Sequence, residues 1–252
     1  MSFIELKNVC KQYANTNKKA VTDFNLKIDE KEFIAFVGPS GCGKSTTLRM
    51  IAGFEDITSG ELYIDGKKMN EVAPRDRGIS MVFQNYALYP HMTVEKNISY
   101  GLKNMKVPAD EIKRKVDWAI EILGLSEYRY RKPKNLSGGQ RQVVTLLMCT
   151  LSIPKLLLLD EHTAALDPAT AEKVMDITKT IVQENNITTM MITHNLKQSL
   201  TTGTRTIMLD SGEIILDLSG EERKNTTMED MIKMYSMKKQ KEFDNDRILL
   251  SQ

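Results

Sequence analysis

The chain has 252 residues, with 35 Lys and Arg against 33 Asp and Glu and a formal net charge of +2. That balance argues against a strongly nucleic-acid-seeking surface, and the length suffices for one sizeable domain or a domain with a subdomain. Cys10, Cys42 and Cys149 are widely spaced without a Cys-x-x-Cys pair, and there are only three histidines, so a disulfide framework, a structural metal and a His-rich site are all unexpected. Met1–Lys7 lacks the apolar core of a secretory leader, and no apolar run approaches the ~18 residues of a membrane span. A cytosolic protein is expected, with any membrane role carried by a partner.

Residues 2–9 and 22–28 read as strands. In the second, Phe24, Leu26 and Ile28 alternate with Asp23, Asn25 and Lys27, the period of a half-buried strand. Between them Asn15-Thr16-Asn17-Lys18-Lys19 reads as a turn. Tyr13 stands just before it, and packing and ligand contact are equally open for that ring. Phe33-Ile34-Ala35-Phe36-Val37 is an apolar run with the look of a buried strand, and Thr47–Ala52 reads as a helix. Gly38, Pro39, Ser40, Gly41, Cys42, Gly43, Lys44, Ser45 and Thr46 lie between them. Strand, glycine-rich loop and helix form the context of a phosphate-binding loop. The glycines let the backbone curl with its N–H groups inward, and the helix behind adds the positive end of its dipole. Lys44 is placed to reach β- and γ-phosphates, and the Ser45 hydroxyl a bound Mg²⁺.

Leu62–Gly66 reads as a short strand closed by a turn, and Met81-Val82-Phe83 as another ending at Gln84. Ala109 to Leu123 carries Ile112, Val116, Ile120 and Leu123 on one helical face, with Gly124 as a stop. Residues 128–134 are basic and loop-like. Leu136-Ser137-Gly138-Gly139-Gln140 then opens a helix to about Ser152, with Ser137 as N-cap, which makes a second potential anion site. Leu156-Leu157-Leu158-Leu159 fits a central parallel strand, and Asp160-Glu161 sits at its C-terminal end, where open α/β sheets bind ligands. Asp167-Pro168 caps a helix with Val174, Ile177, Ile181 and Val182 on one side. Ile187–Thr193 is the next strand, ending at His194. Residues 205–210 and 213–218 form a hairpin around Ser211-Gly212. Thr226-x-x-Glu229 can box the start of a last helix, and the charged tail 239–252 is expected to be loosely ordered. Alternating strands and helices argue for a mostly parallel, helix-flanked sheet.

The phosphate loop, Gln84, Leu136-Ser137-Gly138-Gly139-Gln140, Asp160-Glu161, Asp167 and His194, in that order, resemble the nucleotide-binding subunit of an ABC transporter. The resemblance covers residues 2–238. It implies an α/β fold: a P-loop NTPase (RecA-like) core with a mostly parallel sheet, an antiparallel β subdomain and an inserted helical subdomain. Residues 1–86 would form the N-terminal part of the ATP-binding core with the β subdomain. Residues 87–152 would form the helical subdomain ending in the signature helix, 153–220 the rest of the core, and 221–252 a C-terminal helix and tail.

The same resemblance implies the roles. Gly38 to Thr46 cradle the triphosphate of ATP. Ser45 and Gln84 bind Mg²⁺, with Asp160 holding it through water. Glu161 is the general base, His194 contacts the γ-phosphate, and Tyr13 stacks on adenine. Ser137, Gly138, Gly139 and Gln140 cap the ATP held by a second copy in a head-to-tail, ATP-dependent homodimer whose seam Asp167 lines. Transmembrane permease subunits dock near residues 85–135, which places the chain peripherally on the cytoplasmic face of a membrane, with no nucleic-acid partner. Residues 1–142 look like the ATPases of maltose-type sugar importers, most clearly over Phe83 to Val94. From residue 143 to 252 the likeness shifts to a different importer group, some of whose members serve aromatic amino acids. Val143 and Met148 replace arginines, and His162 replaces a proline. A hybrid joined near the signature is one reading and a divergent member the other. The extra C-terminal regulatory domain of maltose-type subunits is not expected. His162 is open between a packed loop residue and a catalytic one. The function expected is ATP hydrolysis in an importer. A soluble ABC ATPase and a folded hybrid without a working partner are the alternatives.

Overall fold

The computed structural model describes residues 2–14 and 16–250, without the side chains of 240–250. The chain forms two compact units, one from Met1–Ala73 with Met190–Gln252 and one from Pro74–Thr189. Among the described residues, no helix is long and apolar enough to cross a membrane.

The first unit opens with β1 (Ile4–Gln12), β2 (Lys19–Ile28), β3 (Phe33–Val37), α1 (Lys44–Ala52), β4 (Ser59–Ile64) and β5 (Lys67–Lys68). Four of the strands make an antiparallel sheet in the order β2-β1-β4-β5. Its register sets Ile4 opposite Ile28 and Ile64, and Leu6 opposite Leu26 and Leu62. All six are buried, so cross-strand apolar pairs hold one face. Register shifts after Leu6 and Val9 let β1 run to Gln12, three residues past its predicted end, and β2 already begins at Lys19. The predicted turn is shorter by that residue, and Asn15 within it lies outside the described residues.

The second unit contains β6 (Ile79–Val82), α2 (Val94–Asn104), α3 (Ala109–Ile122), α4 (Gly138–Thr150), β7 (Leu156–Asp160) and α5 (Pro168–Glu184). β6 and β7 pair in parallel, Ile79 with Leu156 through Val82 with Leu159. Its helical core joins Val94, Ile98 and Leu102 of α2, Ile112, Val116 and Ile120 of α3, and Val143, Val144 and Leu147 of α4. The four-residue spacing in α2 and α3 puts those side chains on one face of each helix. α2 had not been foreseen: Asn97 and Gly101 dilute its pattern, and its start rests on the Thr93 hydroxyl accepting the Lys96 N–H. α3 ends at Ile122 with Leu123 as cap, and Gly124 turns the chain at φ +63°.

Strand β8 (Thr188–Ile192) leads back into the first unit, followed by α6 (Leu196–Thr201), β9 (Arg205–Asp210), β10 (Glu213–Ser219), α7 (Gly220–Asn225) and α8 (Met228–Leu250). β9 pairs in parallel with the fully buried β3 and antiparallel with β10, as the hairpin reading predicts. The box that starts α8 differs from the predicted one by a residue. Thr227 Oγ1 accepts the Asp230 N–H and Asp230 Oδ2 the Thr227 N–H, at 3.2 and 3.0 Å. Thr226 is engaged elsewhere, its hydroxyl donating to Glu222 O at the end of the unforeseen α7. The tail expected to be loose is helical to Leu250, and residues 251–252 lie outside the described residues. Met231 is fully buried near the start of α8, so the costly first turns are anchored and elongation is easy.

Candidate nucleotide and metal site

In the first unit the phosphate loop joins buried β3 to α1. Gly38, Gly41 and Gly43 have φ of +142°, +77° and +102°. Two of them also have no room for a side chain. A Cβ on Gly38 would lie 2.1 Å from Leu209 O, and one on Gly43 2.6 Å from Ala20 O. The Gly212 N–H donates to Cys42 O at 3.1 Å, tying the loop to the β9–β10 turn. Gly43 caps α1 and brings no side-chain acceptor of its own to the donors of the first turn. Lys44 is buried, and its Nζ donates to Gly38 O at 2.7 Å and Pro39 O at 2.8 Å. The ammonium therefore sits over the loop itself. Cys42 is buried under it, and burial raises its thiol pKa above the ordinary value despite nearby Lys44.

Tyr13 is 39% exposed, with Lys11 Nζ 5.0 Å from its ring centre and pinned there by Glu55 and the Asp56 carbonyl. The ring is thus held at the surface, one face toward a fixed cation. His194 follows β8 and is exposed. It lines a cavity of about 240 Å³ with Gly38, Pro39, Met208 and Tyr235. Next to the loop, Asp210 is buried and paired with Lys239 and Tyr235 of α8. Burial raises its pKa, but the Lys239 and Tyr235 contacts outweigh this and leave it below the ordinary value.

In the second unit, Gln84 and Asp160-Glu161 leave the same end of the paired strands β6 and β7. Gln84 is exposed, Asp160 buried and Glu161 half-buried. Glu161 has φ +47°, rare for a residue with a side chain, so the chain turns sharply where the second carboxylate stands. Ser45, Gln84 and Asp160 offer hydroxyl, amide and carboxylate oxygens, the hard donors that Mg²⁺ takes. Among the described residues no three His, Cys, Asp or Glu converge on a metal position. His162 is buried, its Nε2 3.3 Å from Thr178 Oγ1, and burial lowers its pKa to about 4. It is packed in the interior, as the first of the two readings open in the sequence has it.

Ser137 caps α4 through a reciprocal box: its Oγ accepts the Gln140 N–H at 3.2 Å, and its own N–H donates to Gln140 Oε1 at 2.9 Å. Asp167 caps α5, its Oδ1 accepting the Thr170 N–H at 3.1 Å, and the Thr170 side chain first and this N–H second lower its pKa. The profile of the ABC transporter family matches residues 21–164. The chain belongs to the ABC transporter family.

Its relatives within the family include the oligosaccharides import ATP-binding protein MsmX of Bacillus subtilis, 50% identical over 85% of this chain and 58% of the relative. The sn-glycerol-3-phosphate import ATP-binding protein UgpC of Bartonella quintana is 44% identical over 85% of this chain and 61% of its own length. The chain thus spans about three fifths of the curated relatives it matches. Among solved structures, the dimeric post-hydrolysis state of the ATP-binding cassette MJ0796 bound to ADP and Pi superposes with a TM-score of 0.76 at 32% identity, covering 86% of this chain and 98% of that one. The fold is that of an ABC ATPase cassette.

Three residues of this ABC cassette escaped the sequence reading. Tyr86 and Leu166 crowd Gly138, where an added Cβ would lie 3.0 and 3.3 Å from them, and Thr170 crowds Gly139, where it would lie 2.3 Å away. Each follows a motif residue by two or three positions or precedes it by one, and adjacency to Gln84 and Asp167 is the only signal the sequence holds for them.

Proposed function

We propose that the chain is the ATP-hydrolysing subunit of an ABC-type importer of the sugar class, working at the cytoplasmic face of a membrane. The observation that carries this is the phosphate loop, with its left-handed glycines, glycine-capped helix N-terminus and inward lysine. The names of MsmX and UgpC support the importer, and that of MsmX, with its oligosaccharides, supports the substrate class.

In this reading Lys44 exchanges two neutral carbonyls for β- and γ-phosphate oxygens, a change to stronger charge-assisted hydrogen bonds. The loop N–H groups from Gly38 to Thr46 take the remaining oxygens, and Tyr13 stacks on adenine. Ser45 and Gln84 would hold Mg²⁺ directly and Asp160 through water, and the ion would supply charge neutralisation on the phosphates. Glu161 takes a proton from the water that attacks the γ-phosphorus as ADP leaves, and His194 orients that water. Two copies close head to tail, each offering Ser137 to Gln140 to the partner's ATP, with Asp167 along the seam. The permease docks near residues 85–135. The functional segments are 1–86, 87–152, 153–220 and 221–252, as the resemblance implies. Val143, Met148 and His162 are not among the nucleotide or metal residues, so these departures bear on the substrate class more than on hydrolysis.

ATP turnover by the purified chain and co-purification with membrane subunits test the reading together. Recovery of sugar-importer subunits is expected. Recovery of amino-acid importer subunits alone overturns the substrate class, and absence of ATP turnover overturns the ATPase.

A further inference from the structure

Two arginines of the first unit are treated in opposite ways. Arg205, at the start of β9, has two carboxylates: Asp217 accepts from its Nε and Nη2 at 2.7 and 2.6 Å, and Glu32 lies 3.5 Å from its Nη1. Arg223, in α7, is 8% exposed and has no carboxylate within ion-pair reach among the described residues. Its partners are neutral. Nε donates to Thr206 Oγ1 at 2.9 Å, and Nη2 to Ser199 O at 2.9 Å and Thr202 O at 2.7 Å. Burial lowers its pKa, and no neighbouring charge opposes the shift. A buried cation held by neutral acceptors alone is costly, and an anion brought to it offsets that cost.

There is room for such an anion. Arg223 lines a cavity of about 480 Å³, within the range of small-molecule sites. The walls are residues 30–32 before β3, 203–204 before β9 and 219–220 at the end of β10, so the cavity lies where three strand ends meet. The phosphate loop leaves the other end of β3, about 16 Å away for a strand of five residues. Lys31 and Lys224 add two further cations to the lining. Of its two carboxylates, Glu32 is engaged with Arg205 and with the Asp29 N–H at 3.0 Å, and Glu30 is exposed. Lys224 pairs with Glu221 at 2.7 Å, but those side chains are 68% and 80% exposed, so the pair is weak and Lys224 is able to turn to a ligand.

The hydrogen bonds of Arg223 select the class of anion. Its Nε hydrogen and both Nη2 hydrogens are spent on the protein, so neither edge of the guanidinium fork is open to clamp a carboxylate. Nη1 remains. A ligand therefore meets Arg223 through one oxygen and must offer others to Lys31 and Lys224. A tetrahedral phosphate has oxygens to spare for this, and a planar carboxylate does not.

We propose that this cavity is a second anion site, remote from the nucleotide, which takes a phosphate group, free or carried by a small metabolite, on Arg223, Lys31 and Lys224. The site goes beyond the ATPase reading and uses none of its residues.

The test uses the full chain carrying Lys44→Ala, so that the phosphate loop does not compete for the probe. Calorimetry with inorganic phosphate and with glucose 6-phosphate, at constant ionic strength, should show one saturable site that acetate does not occupy. Arg223→Met should weaken it about tenfold or more, the loss of a charge-assisted hydrogen bond. Lys31→Ala and Lys224→Ala should each weaken it about threefold, as exposed charges do. Should Arg223→Met fail to fold, the double variant of these two exposed lysines should lose about tenfold and carries the test alone. Tighter binding of glucose 6-phosphate supports the site as one for a phosphorylated metabolite, and tighter binding of inorganic phosphate as one for the free ion. No saturable binding of either probe overturns the site, as does binding unchanged by these substitutions. Acetate binding as tightly as phosphate overturns the class of anion. A Lys44→Ala parent that still binds ATP tightly overturns the phosphate-loop assignment instead, and dependence on Arg223 still decides the second site.

Discussion

The starts of α1 and α4 carry the same helix-dipole charge and treat their free N–H groups in opposite ways. At α1 the cap is Gly43, which supplies no side-chain acceptor, and the loop before it is bent by left-handed glycines. At α4 the cap is Ser137, locked with Gln140 in a box that uses up two donors. An anion arriving at α1 displaces no acceptor of the cap residue. An anion arriving at α4 must compete with the Ser137 hydroxyl for the Gln140 N–H. The difference is the one the proposed two-copy ATP sandwich calls for, with α1 holding phosphate in its own protomer and α4 meeting it from the other.

The largest expected effect breaks the α1 side. Lys44→Ala removes the fixed cation and leaves only N–H donors, so tight ATP binding should disappear. Calorimetry with ATP and Mg²⁺ checks it, and wild-type affinity in the mutant would refute the phosphate-loop assignment. Glu161→Gln should cost roughly 10²–10⁴-fold in turnover, the usual worth of general-base assistance, while binding persists and the chain runs as a dimer on size exclusion. Adding Ser137→Arg should return that protein to a monomer without weakening nucleotide binding at low concentration. If the dimer survives, α4 does not face the partner's phosphate.

Smaller effects sharpen the contrast. Gly43→Ala puts a Cβ 2.6 Å from a backbone oxygen at φ +102°, so it should lower unfolding stability by about 2–3 kcal/mol. Gly138→Ala meets a side-chain hydroxyl in a helix, and chemical denaturation should show a change within about 1 kcal/mol. The smallest effect concerns the caps themselves. The folded pKa of Asp167 lies below its ordinary 3.8 because Thr170 bonds the carboxylate, so its contribution is present above that value and lost as pH falls through the lowered pKa. As the pH is lowered through that folded pKa, the Thr170 amide should exchange faster than the trend of its neighbours. The Gln140 amide, capped by a hydroxyl that does not titrate in this range, should not.

Legibility in the sequence followed chemistry. The phosphate loop, the Ser137 cap and the four-leucine strand could be read because left-handed turns want glycine, caps want short hydroxyls, and a doubly buried strand wants unbroken apolar residues. The reading stopped where tertiary packing decides. His162 is neutral because Thr178, sixteen residues on, and the surrounding core bury it. Thr226 and Thr227 are equally good caps on paper, and Glu222 settles which one is free. Tyr86 meets Gly138 across some fifty residues of chain, a closeness that no local pattern encodes.

One feature of the second unit reaches further than its hydrogen bonds. Asn97, fully buried at the start of α2, accepts the Tyr89 N–H and donates to the carbonyls of Tyr89, Met92 and Thr93. A single side chain therefore fixes the loop that precedes the helix, within the stretch proposed for the permease. The shape of that loop is set when the chain folds, so a partner arriving there meets a rigid surface and loses no binding energy to ordering it. The start of α2 is tied as well to residues 129–131, since the Val94 and Glu95 N–H groups donate to the carbonyls of Arg131 and Arg129, so moved into another cassette the segment should keep its conformation only if that stretch travels with it.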